Sequence, residues 1–311
     1  MADTVQPTAL AVADEPAPVE RGESLWRRHA STFVQKSGAV IGLVLLVLLV
    51  LAAVFAPLLA PQNPYDLSQL DIMDNMLAPG EALASGQIAW LGTDDQGRDM
   101  LSAILYGLRI SLLVGTISVV VACLVGASVG VLATYAGGRV ESVVMRLVDL
   151  QLSFPAILVA LVLLAVFGRG IDKVILALVI VQWAYFARTV RGSAVVEKRR
   201  EYIEAARCLA LPKRRVVFRH LLPNCLPPLI VIATIDIARA IALEATLSFL
   251  GVGVPVTEPS LGLLIAKGYN YLLSGKYWIS TFPGVVLVIA IVAINLVGDR
   301  LRDVLNPRLS R

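Results

Sequence analysis

Apolar residues in this chain come in long unbroken runs, and polar residues gather between them. The first run, about 39–60, carries no charge and is long enough to cross a hydrocarbon core, which needs about 20 helical residues. Others fall near 110–135, 143–167, 171–190, 226–250 and 283–300. Backbone groups in lipid have no water to bond, so runs this long are predicted to be helices, giving six spans. The third run is interrupted by Asp149, Gln151 and Pro155, and the sixth is the shortest. Upstream, residues 24–36 place Leu25, Trp26, His29 and Phe33 near one face beside Arg27, Arg28 and Lys36, which suits a helix lying at a membrane surface. Residues 1–23, rich in Ala, Pro, Val and acids, have no helical period and are expected to be disordered. That polar leader is too long for a signal peptide and Pro57 opposes cleavage, so the first run is expected to remain as a span. The predicted division is 1–37 tail and interfacial helix, 38–60 first span, 61–106 external loop and 107–308 a five-span core that includes a loop at 191–224.

The charges orient this arrangement. From the end of the fourth run to the start of the fifth lie ten basic residues: Arg188, Arg191, Lys198, Arg199, Arg200, Arg207, Lys213, Arg214, Arg215 and Arg219. The flanks add Arg21, Arg27, Arg28 and Lys36 at one end and Arg300, Arg302, Arg308 and Arg311 at the other. The segment 61–106 instead holds Arg98 against seven acids, among them Asp94, Asp95 and Asp99. Loops rich in Lys and Arg stay in the cytoplasm, so both termini and the 191–224 loop are expected there.

Composition agrees with a polytopic membrane protein. Hydrophobic residues make up 57%, charged residues 16%, and the mean hydropathy is +0.77, whereas soluble chains are about half apolar and a quarter charged. A net charge of +4 with the basic residues confined to loops gives no nucleic-acid surface. Cys123, Cys208 and Cys225 have no C-x-x-C spacing, and only His29 and His220 are present, so neither a disulfide framework nor a metal site is implied and no cofactor is expected.

One polar stretch stands out, EYIEAARCLALPKRRVVFRHLLPN at 201–224. Ile203, Ala206 and Ala210 recur at helical spacing, and Ala205, Ala206 and Ala210 would form a small flat surface that another backbone could approach closely. Pro212 disfavours helix at Leu211 and suits the start of a second helix, which Pro223 is expected to end. Basic residues resting near acidic headgroups would explain the charge. An amphipathic helix seated in a groove of a cytoplasmic protein would explain Glu204 and the small face as well.

The pattern Glu204-Ala205-Ala206 with the later Leu222-Pro223 resembles the EAA loop of the integral membrane subunits of ABC importers. Position 210 holds Ala where that pattern has Gly; alanine, small and a better helix former, is expected to preserve the contact with slightly less room. The stretches LGTDDQGRDMLSAILYGLRISLLVG (91–115), LSFPAILVA (152–160), LEATLSFLGVGV (243–254) and FPGVVLVIAIVAINLVGDRLRDVLNPR (282–308) are similar to the dipeptide, oligopeptide and nickel group of that family. The resemblance implies an all-α type I importer permease in a bacterial inner membrane. It further implies a sister permease sharing the path, two cytoplasmic ATPase subunits, and an extracytoplasmic solute-binding protein meeting loops 61–106 and 251–282. Membrane lipid is the remaining partner. On this resemblance Glu204, Ala205, Ala206, Arg207 and Ala210 couple the chain to an ATPase, and the solute is a peptide, or alternatively nickel or another small solute.

No G-x-x-x-x-G-K-[ST] loop occurs, so nothing in the chain is built to hold ATP phosphates, and the chain is not expected to be an enzyme. Asp236 and Glu244 in the fifth run share one side of a helix, with Arg239 three residues after Asp236. Such groups face protein or water, and either a structural network or a lining of the solute path accounts for them. They also permit an ion-coupled secondary transporter, which leaves the 201–224 stretch unexplained. A membrane enzyme would need a nucleophile and base or a metal cluster that the sequence does not offer; a scaffold anchoring other proteins is the last alternative. Asp149 is expected to pair with Arg146, and Gly107, Gly115, Gly126 and Gly130 either allow close helix packing or reflect ordinary glycine usage in membrane helices.

Overall fold

The computed structural model describes residues 36–66 and 70–305; the predicted tail and the interfacial helix, Lys36 apart, lie outside the described residues. Helix α1 is Ser37–Val54, continued by α2, Ala56–Leu59, with Pro57 in its first turn, where a missing N–H costs nothing. α3, Met100–Ala136, starts earlier than the apolar run because Asp99 caps it: the carboxylate accepts from the Ser102 amide at 2.8 Å and from its hydroxyl at 2.6 Å. With 37 residues, α3 is about 55 Å long and outreaches a hydrocarbon core of about 30 Å, so its ends project from the membrane.

The third apolar run is two helices. α4, Gly138–Ser153, and α5, Ala156–Phe167, meet at a bend of 91°. Pro155 disfavours helical backbone at Phe154, which is extended at ψ 140°, and so a single straight span over 143–167 does not form. α4 is also strongly two-sided, with Val148 buried and Val143, Leu147 and Leu150 exposed. Asp149 on α4 pairs with Arg188, on the helix that follows α5, rather than with Arg146.

α6 is Ile171–Glu197 and the short α7 is Glu201–Cys208. A helical turn, Lys213–Arg215, and a π-helical stretch, Val216–Leu221, then lead directly into α8, Leu222–Phe249. Pro223 therefore does not end a second short helix. It falls in the first turn of α8, just after the register has widened, where no i−4 hydrogen bond is lost, and the basic segment becomes the foot of a continuous span. α9, Leu261–Tyr269, lies within what the sequence predicts as loop, and α10 is Trp278–Leu305.

Among the described residues five helices are long and apolar enough to cross a membrane, or six if α4 and α5 count as one broken span. α3 packs chiefly on α6, and α8 packs on α3, α6 and α10. The core between them is aliphatic: Val114, Val119 and Val131 from α3, Leu178 and Val190 from α6, Leu229 and Leu247 from α8, with Phe186 as the large filler. α1 is mostly exposed and leans on α10 and α3 from outside. At the end of the bundle where α3 begins, the two connecting segments are tied together. The Trp278 indole donates to the Thr93 carbonyl at 3.1 Å, Lys276 donates to the Met76 carbonyl at 3.1 Å, and Lys267 lies 3.5 Å from Asp95. Asp94, in the same buried turn, accepts from the amides of Gln96 and Arg98, yet burial pushes its carboxyl above the usual range.

Candidate functional site

At the opposite end, α7 sits between α6 and the foot of α8. Its inward face is Ile203, fully buried, and Ala206, 5% exposed, packed in the same core as Val190, Val216 and Leu221. Its outward face is Glu201, Glu204, Ala205 and Cys208, with Arg207 also exposed. The small surface predicted from Ala205, Ala206 and Ala210 is thus divided: Ala206 holds the helix to its own chain, Ala205 beside Glu204 is available to a partner, and Ala210 lies beyond the helix. Glu204 makes no ion pair among the described residues.

Three side chains fix α7 and the turn that leads into it to the ends of the long helices. Lys198 donates to the last carbonyls of α3, Thr134 at 2.8 Å and Tyr135 at 3.2 Å, where a cation also meets the negative end of the helix dipole. The Arg207 guanidinium lies 5.7 Å from the centre of the Tyr135 ring. The Tyr202 hydroxyl donates to Glu197 at 2.9 Å, and burial together with that bond pushes the phenol up to about 12, keeping it a donor.

The end of α7 explains position 210. The Leu211 amide donates to the Ala206 carbonyl at 3.1 Å and the Ala210 amide to Arg207 at 2.9 Å, the paired bonds of a Schellman motif. Such a motif needs a left-handed residue after the cap, and Ala210 has φ +50°. Position 210 is not helical, so alanine's helix propensity does not help it and the difference from glycine is backbone strain rather than room, roughly 1 kcal/mol. Ala210→Gly is accordingly expected to raise stability by up to about 1 kcal/mol, since relief of strain is partly offset by glycine's freer unfolded chain. Thermal unfolding of the purified chain checks this; a lower midpoint would contradict it.

The intramembrane groups separate into two networks. Asp236 is 3% exposed and accepts from Arg239 at 3.0 Å, while the Arg239 side chain is 66% exposed. Glu244, fully buried, accepts instead from Ser111 of α3 and Ser248 of α8, both at 2.8 Å. Both serines are absent from the sequence-based site. Ser248, four residues after Glu244 on one helix face, was legible; Ser111, on another helix, had no local signal.

A bundle of apolar helices with a few buried polar networks and a short two-faced helix at one end is the architecture of an integral membrane transport subunit. Residues 123–311 match the family described as binding-protein-dependent transport system inner membrane component, and residues 24–79 match the N-terminal TM domain of oligopeptide transport permease C. The chain belongs to this family of inner-membrane permease components. It is 39% identical over 307 residues to the dipeptide transport system permease protein DppC of Escherichia coli K12, covering 98% of this chain and 99% of that one. It is 37% identical over 279 residues to the di/tripeptide transport system permease protein DppC of Pseudomonas aeruginosa, covering 89% and 90%. In fold it is similar to a chain of the MetNI methionine ABC transporter solved in inward-facing conformations, with TM-score 0.54, 24% identity, and 66% of this chain and 97% of that one covered.

Proposed function

We propose that the chain is one half of the translocation path of an ATP-driven peptide importer. In this reading a sister permease supplies the other half, two separate ATPase subunits bind at the α7 end, and a solute-binding protein delivers peptide at the end where α3 begins. In this reading α7 and both termini face the cytoplasm, which the basic residues around them support. The observation that carries the reading is the two-faced α7. Glu204 and Ala205 are exposed and Glu204 makes no ion pair among the described residues, while Ile203 and Ala206 are locked into the core shared by α6 and α8. A groove that holds the outer face and moves on ATP binding would drag the spans with it, because a ligand shifts a conformational equilibrium through its differential contacts. Arg239, exposed on a span and tethered by Asp236, is suited to water or to a partner rather than lipid, and supports a place for α8 along the path.

The test is uptake of a labelled dipeptide into proteoliposomes holding the permease pair, its ATPases and the binding protein. Uptake is expected to require ATP inside the face that binds the ATPases and to ignore an imposed proton gradient. Gradient-driven uptake without ATP would replace this reading with an ion-coupled one, and nickel uptake that dipeptide does not compete with would replace the solute. The peptide reading, rather than nickel, follows the names of the relatives.

A further inference from the structure

At the α7 end, a groove of about 910 Å³ opens between the last turns of α3, the start of α4 and the foot of α8. Its walls are apolar, and Leu132, Val140 and Phe218 stand 47%, 54% and 43% exposed along it. Its rim carries Arg207, Lys213 and Arg214, and no acidic residue lines it. Lys213 and Arg214 form no ion pair among the described residues, and Arg207 has only the Tyr135 ring. Glu141, the acid at the start of α4, is already engaged by Arg191 at 2.7 Å. Three cations over an oily trough therefore lack counter-charge. On the far side of Arg214 and Phe218 a second recess, about 610 Å³, adds Arg215 and Arg219 to the same basic surface.

We propose that this groove binds one anionic phospholipid of the cytoplasmic leaflet, its acyl chain along Leu132, Val140 and Phe218 and its phosphate under Arg207, Lys213 and Arg214. Basic pockets between spans on the cytoplasmic side favour acidic headgroups. A zwitterionic headgroup would bring a cation to a site that already holds three; a glycerol headgroup brings none. The lipid would bridge α7 and the foot of α8, the two elements that the proposed coupling must move together. The inference rests on the orientation proposed above.

The complete transporter, delipidated and exchanged into mixed phosphatidylglycerol and phosphatidylcholine, is examined by native mass spectrometry for retained lipid. The wild type is expected to retain phosphatidylglycerol over phosphatidylcholine by roughly tenfold or more. Lys213→Gln/Arg214→Gln, at exposed positions, should bring the two lipids near parity, and Val140→Trp, which fills the trough and leaves the charges, should lower retention of both. Unchanged selectivity in the double variant overturns the proposal. So does displacement by inorganic phosphate alone, or a cross-link from Val140→Cys to the sister permease, which would make the groove a protein contact. Labelling of Cys208 from outside sealed cells would overturn the orientation while leaving lipid selectivity intact, which distinguishes the two failures.

Discussion

Peptide uptake by a Glu204→Lys transporter is expected to fall by a hundredfold or more while the chain still inserts at the wild-type level. Glu204 is exposed and makes no ion pair among the described residues, so the substitution removes no ion pair seen to hold the fold. At a docked interface the same change would put a cation where a partner meets a carboxylate. Losing one member of a buried charge pair costs about 2–5 kcal/mol, or roughly thirty- to several-thousandfold in affinity. Glu204→Gln, which keeps the shape and a hydrogen-bonding group, should lose much less. Two measurements check this: ATP-driven uptake, and the amount of ATPase that copurifies with the permease. Both should drop together in the Lys variant, and normal uptake by it would sink the docking role of α7. Arg207 is a poorer probe, because its place over Tyr135 gives it a structural function as well.

Much of the bundle was legible because lipid imposes a simple rule, that backbone bonds be satisfied within the helix. The 171–190 run falls within α6, the 39–60 run matches α1–α2 to within a residue at its end, and α8 and α10 extend past their runs at one or both ends. What escaped depended on neighbours or on backbone angles. α9 is short, and Gly262 and Gly268, which resemble loop punctuation, are there because the backbones of Ala245 and of Ile279–Ser280 press against them. The bend at Pro155 was visible as a proline, but nothing local distinguishes a kink from a break of 91°. Pro223 looked like a stop and is a helix start, since the decisive feature, the π-helical register before it, leaves no composition signal.

The candidate site shows the same division. Asp236 with Arg239 was readable from their i, i+3 spacing. The Glu244 network was not, because its partner Ser111 is 133 positions away. For α7, the helix and its exposed Glu204 were readable, but the separation of Ala205 from Ala206 needed the packing, and the meaning of Ala210 needed its φ.

Gly126→Ile should leave little folded protein, with a loss of about 3 kcal/mol or more, at the upper end of what overpacking costs. Gly126 sits where α3 crosses α6: an added Cβ would meet the Trp183 carbonyl and come within 2.7 Å of the Phe186 Cβ. One turn on, a Cβ on Gly130 would lie 2.5 Å from the Ala187 carbonyl and against the Val190 side chain. Both obstacles at Gly126 belong to the rigid part of α6, and Phe186 is fully buried, so neither can turn aside. In lipid this crossing has no hydrophobic drive behind it, since acyl chains are as apolar as the side chains they replace. Close backbone contact through small residues spaced four apart is what holds such pairs. Monodisperse yield and thermal unfolding in detergent give the readout, with Gly126→Ala expected to lie between the wild type and the Ile variant. Gly284→Ala serves as the contrast, because a Cβ there meets nothing within 4 Å and should be neutral or slightly stabilising. Equal stability of Gly126→Ile and Gly284→Ala would mean that the α3–α6 crossing yields in the membrane and that glycine at 126 is ordinary usage; a wide gap between them assigns it to the close packing of α3 on α6.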